Sequence, residues 1–299
     1  MRKYVSILFL LILVPFLAVN GQKPIVVSED SVKVGAGSYP GFAVTIPEAD
    51  YDQTLKNWVK ELESGTKSKV VTENGVMSIF GANLKNISPT PVNIFSSLEN
   101  EDTLSKLLVC IELKKDVYLD QSGGDSQITT TKNFLKEFAK TQYTAFIKEE
   151  IDREEKVLQE LEKELNSLES NKAKAEKNAK NSMFDIQNAE EKLLLQNNEL
   201  NLLSNRIVEQ NREMMALKAG PAKDARAAQV KTLEKERKKL QKDIGKTEKS
   251  IRKAKSTVDD TEKMIPKNEE DQNKMKEEIE EQKAVVKKYV DKLNTVKSY

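Results

Sequence analysis

Gly245-Lys246-Thr247 is the one place where residue types and spacing suggest phosphate chemistry, because it matches the tail of a phosphate-binding loop. That loop needs a glycine five positions earlier and a strand leading into it. Leu240 stands at that position, and the preceding residues are a charged, helix-like run, so no nucleotide site is read here. The glycine cluster "GAGSYPG", residues 35–41, lacks the strand-to-helix setting of a dinucleotide loop and is read as an ordinary loop. No cofactor is expected.

The acidic groups Glu149-Glu150, Asp259-Asp260 and Glu269-Glu270-Asp271 could draw a cation. Solvated helix faces are the better explanation, so no metal site is assigned. The chain has no histidine, which removes the commonest general base and the commonest metal ligand. Cys110 is the sole cysteine, so no intrachain disulfide can form. It lies mid-strand in "LLVCIEL" and reads as a buried core thiol. Trp58 likewise reads as core rather than as a ligand platform. Asn86-Ile87-Ser88 matches a glycosylation sequon but is followed by Pro89. With no catalytic constellation, a non-enzymatic role is expected.

The elements that carry these residues fall into three stretches. Residues 1–21 have the pattern of a signal peptide: Arg2 and Lys3, then an apolar run through Val19, then Gly21. Cleavage is expected between Gly21 and Gln22, giving an exported protein, periplasmic or secreted; the alternative is an uncleaved anchor. The chain carries 49 Lys and Arg against 48 Asp and Glu. A mature chain so close to neutral is a poor candidate for nucleic acid.

Residues 22–147 hold nearly all the aromatics and prolines of the mature chain and read as a small α+β head. "GFAVTIP", residues 41–47, alternates as a half-buried strand. Residues 48–64 place Tyr51, Leu55, Trp58, Val59 and Leu62 on one helical face, with Gly65 as a stop. Asn74-Gly75 joins two strands in a tight turn. "PVNIFSSL" and "TLSKLLVCIEL" are two more strands. An antiparallel sheet with both helices on one face follows. The last helix, capped by Asp125, Ser126 or Thr129, is expected to continue out of the head.

Residues 148–299 read as an antiparallel coiled-coil hairpin. From Ile151 to Leu217, alternating steps of three and four land on mostly apolar residues, and the pattern resumes from Val230 to Val296. A 3.5-residue repeat held this long is a coiled-coil seam. If position i faces position 440 − i, the core positions from Ile151 to Gln210 meet those from Tyr289 back to Val230: Leu200 meets Leu240, and Leu161 meets Ile279. The centre is Gly220-Pro221, with a tip near residues 218–222, because glycine suits a helix end and proline the first turn of the next. Pro266 interrupts the second arm, and the same register sets Asn268 opposite Lys172. These three residues mark a candidate hinge, either a kink or a break into shorter helices.

The run from Lys231 to Lys255 carries eleven basic and four acidic residues. It reads as a solvated face that could touch an anionic envelope surface. An exported helical hairpin resembles the hairpin of periplasmic adaptor proteins, also called membrane-fusion proteins. Their lipoyl-like β halves have no counterpart here, so no residue role carries over. The expected function is a spacer, scaffold or adaptor that presents the head to an unidentified protein partner, with homo-oligomerisation open. The alternative is a ligand-binding or enzymatic head whose coiled coil serves oligomerisation.

Overall fold

A computed structural model describes residues 25–101, 103–120 and 124–299. The expected signal peptide and its cleavage point lie outside the described residues. The chain divides into two compact units: one comprises residues up to Lys156 together with Lys283–Tyr299, the other Val157–Gln282.

The first unit is built on a seven-stranded antiparallel sheet. Its strands are β1 (Val27–Val34), β2 (Gly37–Pro47), β3 (Val71–Glu73), β4 (Val76–Ala82), β5 (Val92–Glu101), β6 (Leu104–Lys114) and β7 (Val117–Tyr118). Helix α1 (Tyr51–Leu62) follows β2, and helix α2 (Asp125–Ala216) follows β7. The spatial order is β1-β2-β6-β5-β4-β3, with β7 paired to β6. Phe42 on β2 sits opposite Val109 on β6, and Ile94 on β5 opposite Ile111 on β6. In a pleated strand alternate side chains share a face. This register therefore stacks Phe42, Val44, Ile46, Ile94, Leu107, Val109 and Ile111 on one side, where α1, the start of α2 and the end of α3 (Pro221–Lys297) cover them.

Beyond the added strands β1 and β7, two features depart from the sequence reading. The residues read as a glycine loop are mostly strand: only Gly35 and Ala36 turn, and Gly37–Pro47 is β2. Gly41 is needed there because a Cβ would lie 2.4 Å from the Val109 carbonyl oxygen of β6. The start of α2 also differs. Asp125 is its first residue, and Thr129 donates its hydroxyl back to the Asp125 carbonyl at 2.8 Å, so Thr129 does not cap the helix.

Trp58 is wholly buried, as expected of a core residue. Its Nε1 donates to the Ser96 Oγ at 2.9 Å, and its ring lies 5.0 Å from Phe138, edge-on. Asp50 caps α1 by accepting from the Gln53 amide at 2.7 Å. Cys110 sits on the opposite side of the sheet, with Val32, Ala43 and Leu108. It is fully buried, and burial pushes its thiol up to about 12. The protonated thiol is a poor nucleophile at neutral pH.

The end of α3 belongs to the same core. Val296 is fully buried, with Tyr289, Leu293 and Tyr299 packed around it. Lys292 pairs with Glu48, and Lys140 donates to the Tyr299 carbonyl oxygen at 3.3 Å. The register of the hairpin reading brings residue 141 opposite residue 299, one place from this bond.

Candidate interaction surfaces

In the second unit, α2 and α3 pack along the seam expected from the heptads. The core positions of α2 from Leu158 to Met214 are buried or half-buried, and Leu217, at the end, is exposed. Ala179, Ile207, Val230, Ile244, Ile251, Met275 and Ile279 are the most enclosed apolar residues of the seam in this unit. Hydrogen bonds and ion pairs between the helices follow the 440 − i register to within about a turn. Lys172 Nζ lies 2.6 Å from Glu269, and Lys255 Nζ lies 3.0 Å from Glu190. Thr247 donates to the Gln196 side chain at 3.0 Å, a polar layer inside the seam.

The turn between the helices is where the heptads place it. α2 ends at Ala216, and Pro221 is the first residue of α3. Gly220 has φ of +151°, which a side chain would strain. Its carbonyl accepts from the Lys223 and Asp224 amides at 3.0 and 3.2 Å, so it closes the first turn of α3. Proline at the first helical position has no amide hydrogen to leave unpaired. Arg226 ties the two helices together near this turn, pairing with Glu213 at 3.1 Å and donating to Gln210.

The residues of the candidate hinge gather at one level of the seam, with altered partners. α3 runs unbroken through Pro266, so the helix does not split there. Asn268 does not bond Lys172. Its Nδ2 donates to the Leu168 carbonyl at 3.2 Å, and Gln272 donates to its Oδ1 at 2.7 Å. Lys172 instead reaches Glu269, and that hydrogen bond raises the lysine's pKa.

The outward heptad positions segregate by chemistry, which the net charge hides. On α3, every charged residue at positions b, c and f between Lys231 and Lys253 is basic, and all are exposed. Lys231, Lys235, Lys238, Lys242, Lys249 and Arg252 are among them. The acidic residues Glu234, Glu236, Asp243 and Glu248 occupy the e and g flanks beside the seam. Lys246 spends its charge on Asp243 at 2.7 Å and lowers that carboxyl's pKa. The outward face of α2 is different again. Leu194, Leu195, Leu202, Val208 and Met215 are 62–77% exposed along it.

The head offers a groove of about 310 Å³ between Glu29, Asp30, Pro40, Gly41, Phe42, Asp120 and Ile128. Two of its three carboxylates face lysines. Glu29 pairs with Lys132 at 2.7 Å, and Asp30 pairs with Lys106 at 2.9 Å, which lowers the Asp30 pKa. Among the acidic clusters, Glu150 is buried against Arg153 at 2.6 Å, Glu269 meets Lys172, and Glu270 meets Lys274 at 2.6 Å. Among the described residues, no group of three or more acidic, cysteine or histidine side chains is placed to hold a metal ion. Nor is any helix among them long and apolar enough to cross a membrane.

No family model, curated protein or solved structure matches this chain.

Proposed function

We propose that this is an exported, non-enzymatic interaction protein. Its α+β head is presented by a coiled-coil hairpin acting as spacer, scaffold or adaptor, and the outward face of α3 meets an anionic envelope surface. The observation that carries the reading is the segregation of charge on α3. An ordinary solvated helix alternates signs around its outer surface. Here the acids are withdrawn to the seam flanks, where Asp243 holds Lys246, and the outer face itself carries only basic charge. Lysine and arginine near an anionic bilayer contribute about 1 kcal/mol each. The face carries no aromatic residue, so contact would be electrostatic and salt-sensitive. The side chains filling the space between sheet and helices in the head support an interaction role over a ligand-binding one.

Cosedimentation with vesicles checks the surface. The full mature chain is expected to bind vesicles containing phosphatidylglycerol and to leave phosphatidylcholine vesicles untouched. Changing Lys238, Lys242 and Lys249 together to glutamine should weaken binding roughly a hundred-fold at low salt, from three contacts of about 1 kcal/mol each. Equal binding to both vesicle types would overturn the electrostatic reading. Export is checked separately by mass spectrometry of protein from its native host. The expected chain starts at Gln22, and an intact residue 1–21 segment would replace export and cleavage with an anchor.

A further inference from the structure

The outward face of α2 has no use in the reading above. Leu194, Leu195, Leu202, Val208 and Met215 lie on it with 62, 63, 72, 69 and 77% of their surfaces exposed. In the heptad of the seam they fall at positions b and c, on the side of α2 turned away from α3. Position f lies between b and c on the helix surface and carries Asn198, Asn205 and Arg212 here. The strip from Leu194 to Ala216 is thus continuous, apolar and amide-rich, and about 33 Å long at a rise of ~1.5 Å per residue.

We infer that this strip of α2 is a self-association surface: it docks antiparallel against the same strip of a second copy, with position i facing position 410 − i. The order of residues on the strip carries the inference. A two-fold interface must be self-complementary, so that residue i meets j and j meets i. Inverted about Asn205, Leu195 meets Met215, Leu202 meets Val208, and Leu194 meets Ala216. Arg212 meets Asn198, and Glu209 meets Asn201, so no like charges are opposed. Asn205 meets its own copy on the axis, where a paired asparagine layer fixes register.

Charge selects this occupant over two others. Pairing through α3 would press two wholly basic faces together, whereas pairing through α2 leaves those faces outside. A bilayer suits an apolar strip that is flanked by lysine and arginine. Here Arg212 on the strip and Arg206 beside it are matched by Glu209, Glu199 and Glu213, and the lysine-rich face belongs to α3. The surface does not depend on export or on the α3 face binding lipid.

The test uses the full mature chain in a Cys110→Ser background. Sedimentation equilibrium should show a concentration-dependent dimer that Leu202→Lys with Val208→Lys converts to monomer. The helical circular dichroism should be unchanged, because both sites are exposed in the hairpin. Under mild oxidation Asn205→Cys should crosslink into dimers, since a two-fold axis brings its copies within the ~7 Å reach of a disulfide. Leu195→Cys and Met215→Cys should each stay uncrosslinked alone and form a mixed dimer when combined. A wild-type chain that stays monomeric at high micromolar concentration would overturn the proposal. So would a dimer indifferent to the two lysines, or Leu195→Cys pairing with itself, which marks a parallel arrangement. Binding of monomers to phosphatidylcholine vesicles that the two lysines abolish would assign the strip to lipid instead.

Discussion

Replacing Trp58 with alanine is expected to cost the head about 3–5 kcal/mol, the usual range for deleting a buried aromatic side chain. Native domains are stable by only about 5–15 kcal/mol, so the change should bring the head close to unfolding. Three losses add up. The indole is fully enclosed, and its neighbours Phe134 and Phe138 lie 6.0 and 5.0 Å away between ring centres. Its Nε1 also holds the Ser96 hydroxyl, which is itself fully buried. Without the indole that hydroxyl loses its donor, at a cost of about 1–3 kcal/mol. Trp58→Phe keeps most of the volume and should cost less, and adding Ser96→Ala should recover part of its deficit. Cys110 supplies the readout. It is the chain's sole cysteine and is buried in the head sheet, so its labelling rate in urea reports opening of this unit alone. The urea midpoint for labelling should fall sharply in Trp58→Ala. An unchanged midpoint would mean that the indole does not hold α1 on the sheet.

The hairpin should respond in the opposite direction to Pro266→Ala, gaining up to ~3 kcal/mol, the penalty of proline relative to alanine inside a helix. Pro266 stands on the exposed side of α3, so its ring fills no core space that alanine would empty. What it does is deprive the carbonyl four residues earlier, on Glu262, of an amide partner, and crowd that turn. The same level of the seam is polar: Asn268, Gln272 and the Lys172–Glu269 pair take the place of apolar packing. We propose that this combination is a hinge, a weak point in α3 held by replaceable hydrogen bonds. Thermal unfolding followed by helical circular dichroism should shift upward in Pro266→Ala, and proteolysis around residue 266 should slow. If neither moves, Pro266 costs the helix nothing and the hinge proposal fails.

The seam and its turn were legible in the sequence for a local reason. A coiled coil repeats one contact every 3.5 residues, so the positions that will be buried are written into the chain's own periodicity. The two arms then identify each other, because their core positions must coincide when the chain folds back about Gly220-Pro221. Asn74-Gly75 was legible in the same way, since both residues adopt the positive φ, +49° and +81°, that a tight hairpin demands.

Strand β1 was not. "VSEDSVKV" has one fully buried residue, Val32, and is held at the sheet edge by backbone pairing with β2. Backbone hydrogen bonds are indifferent to side-chain type, so an edge strand can be polar and leave no hydrophobic pattern. Gly41 reads as loop-former in sequence, yet its reason for being glycine is the Val109 carbonyl, a neighbour 68 positions away. The surfaces lie between these cases. Composition shows eleven basic residues between Lys231 and Lys255, but it cannot say that the acids among them flank the seam while nine of the bases face outward. It likewise cannot say that Leu202 and Met215 are left uncovered. Heptad periodicity determined which residues pair within the chain. Only the packed hairpin decided which residues remain outside, because exposure is set by what the other helix covers.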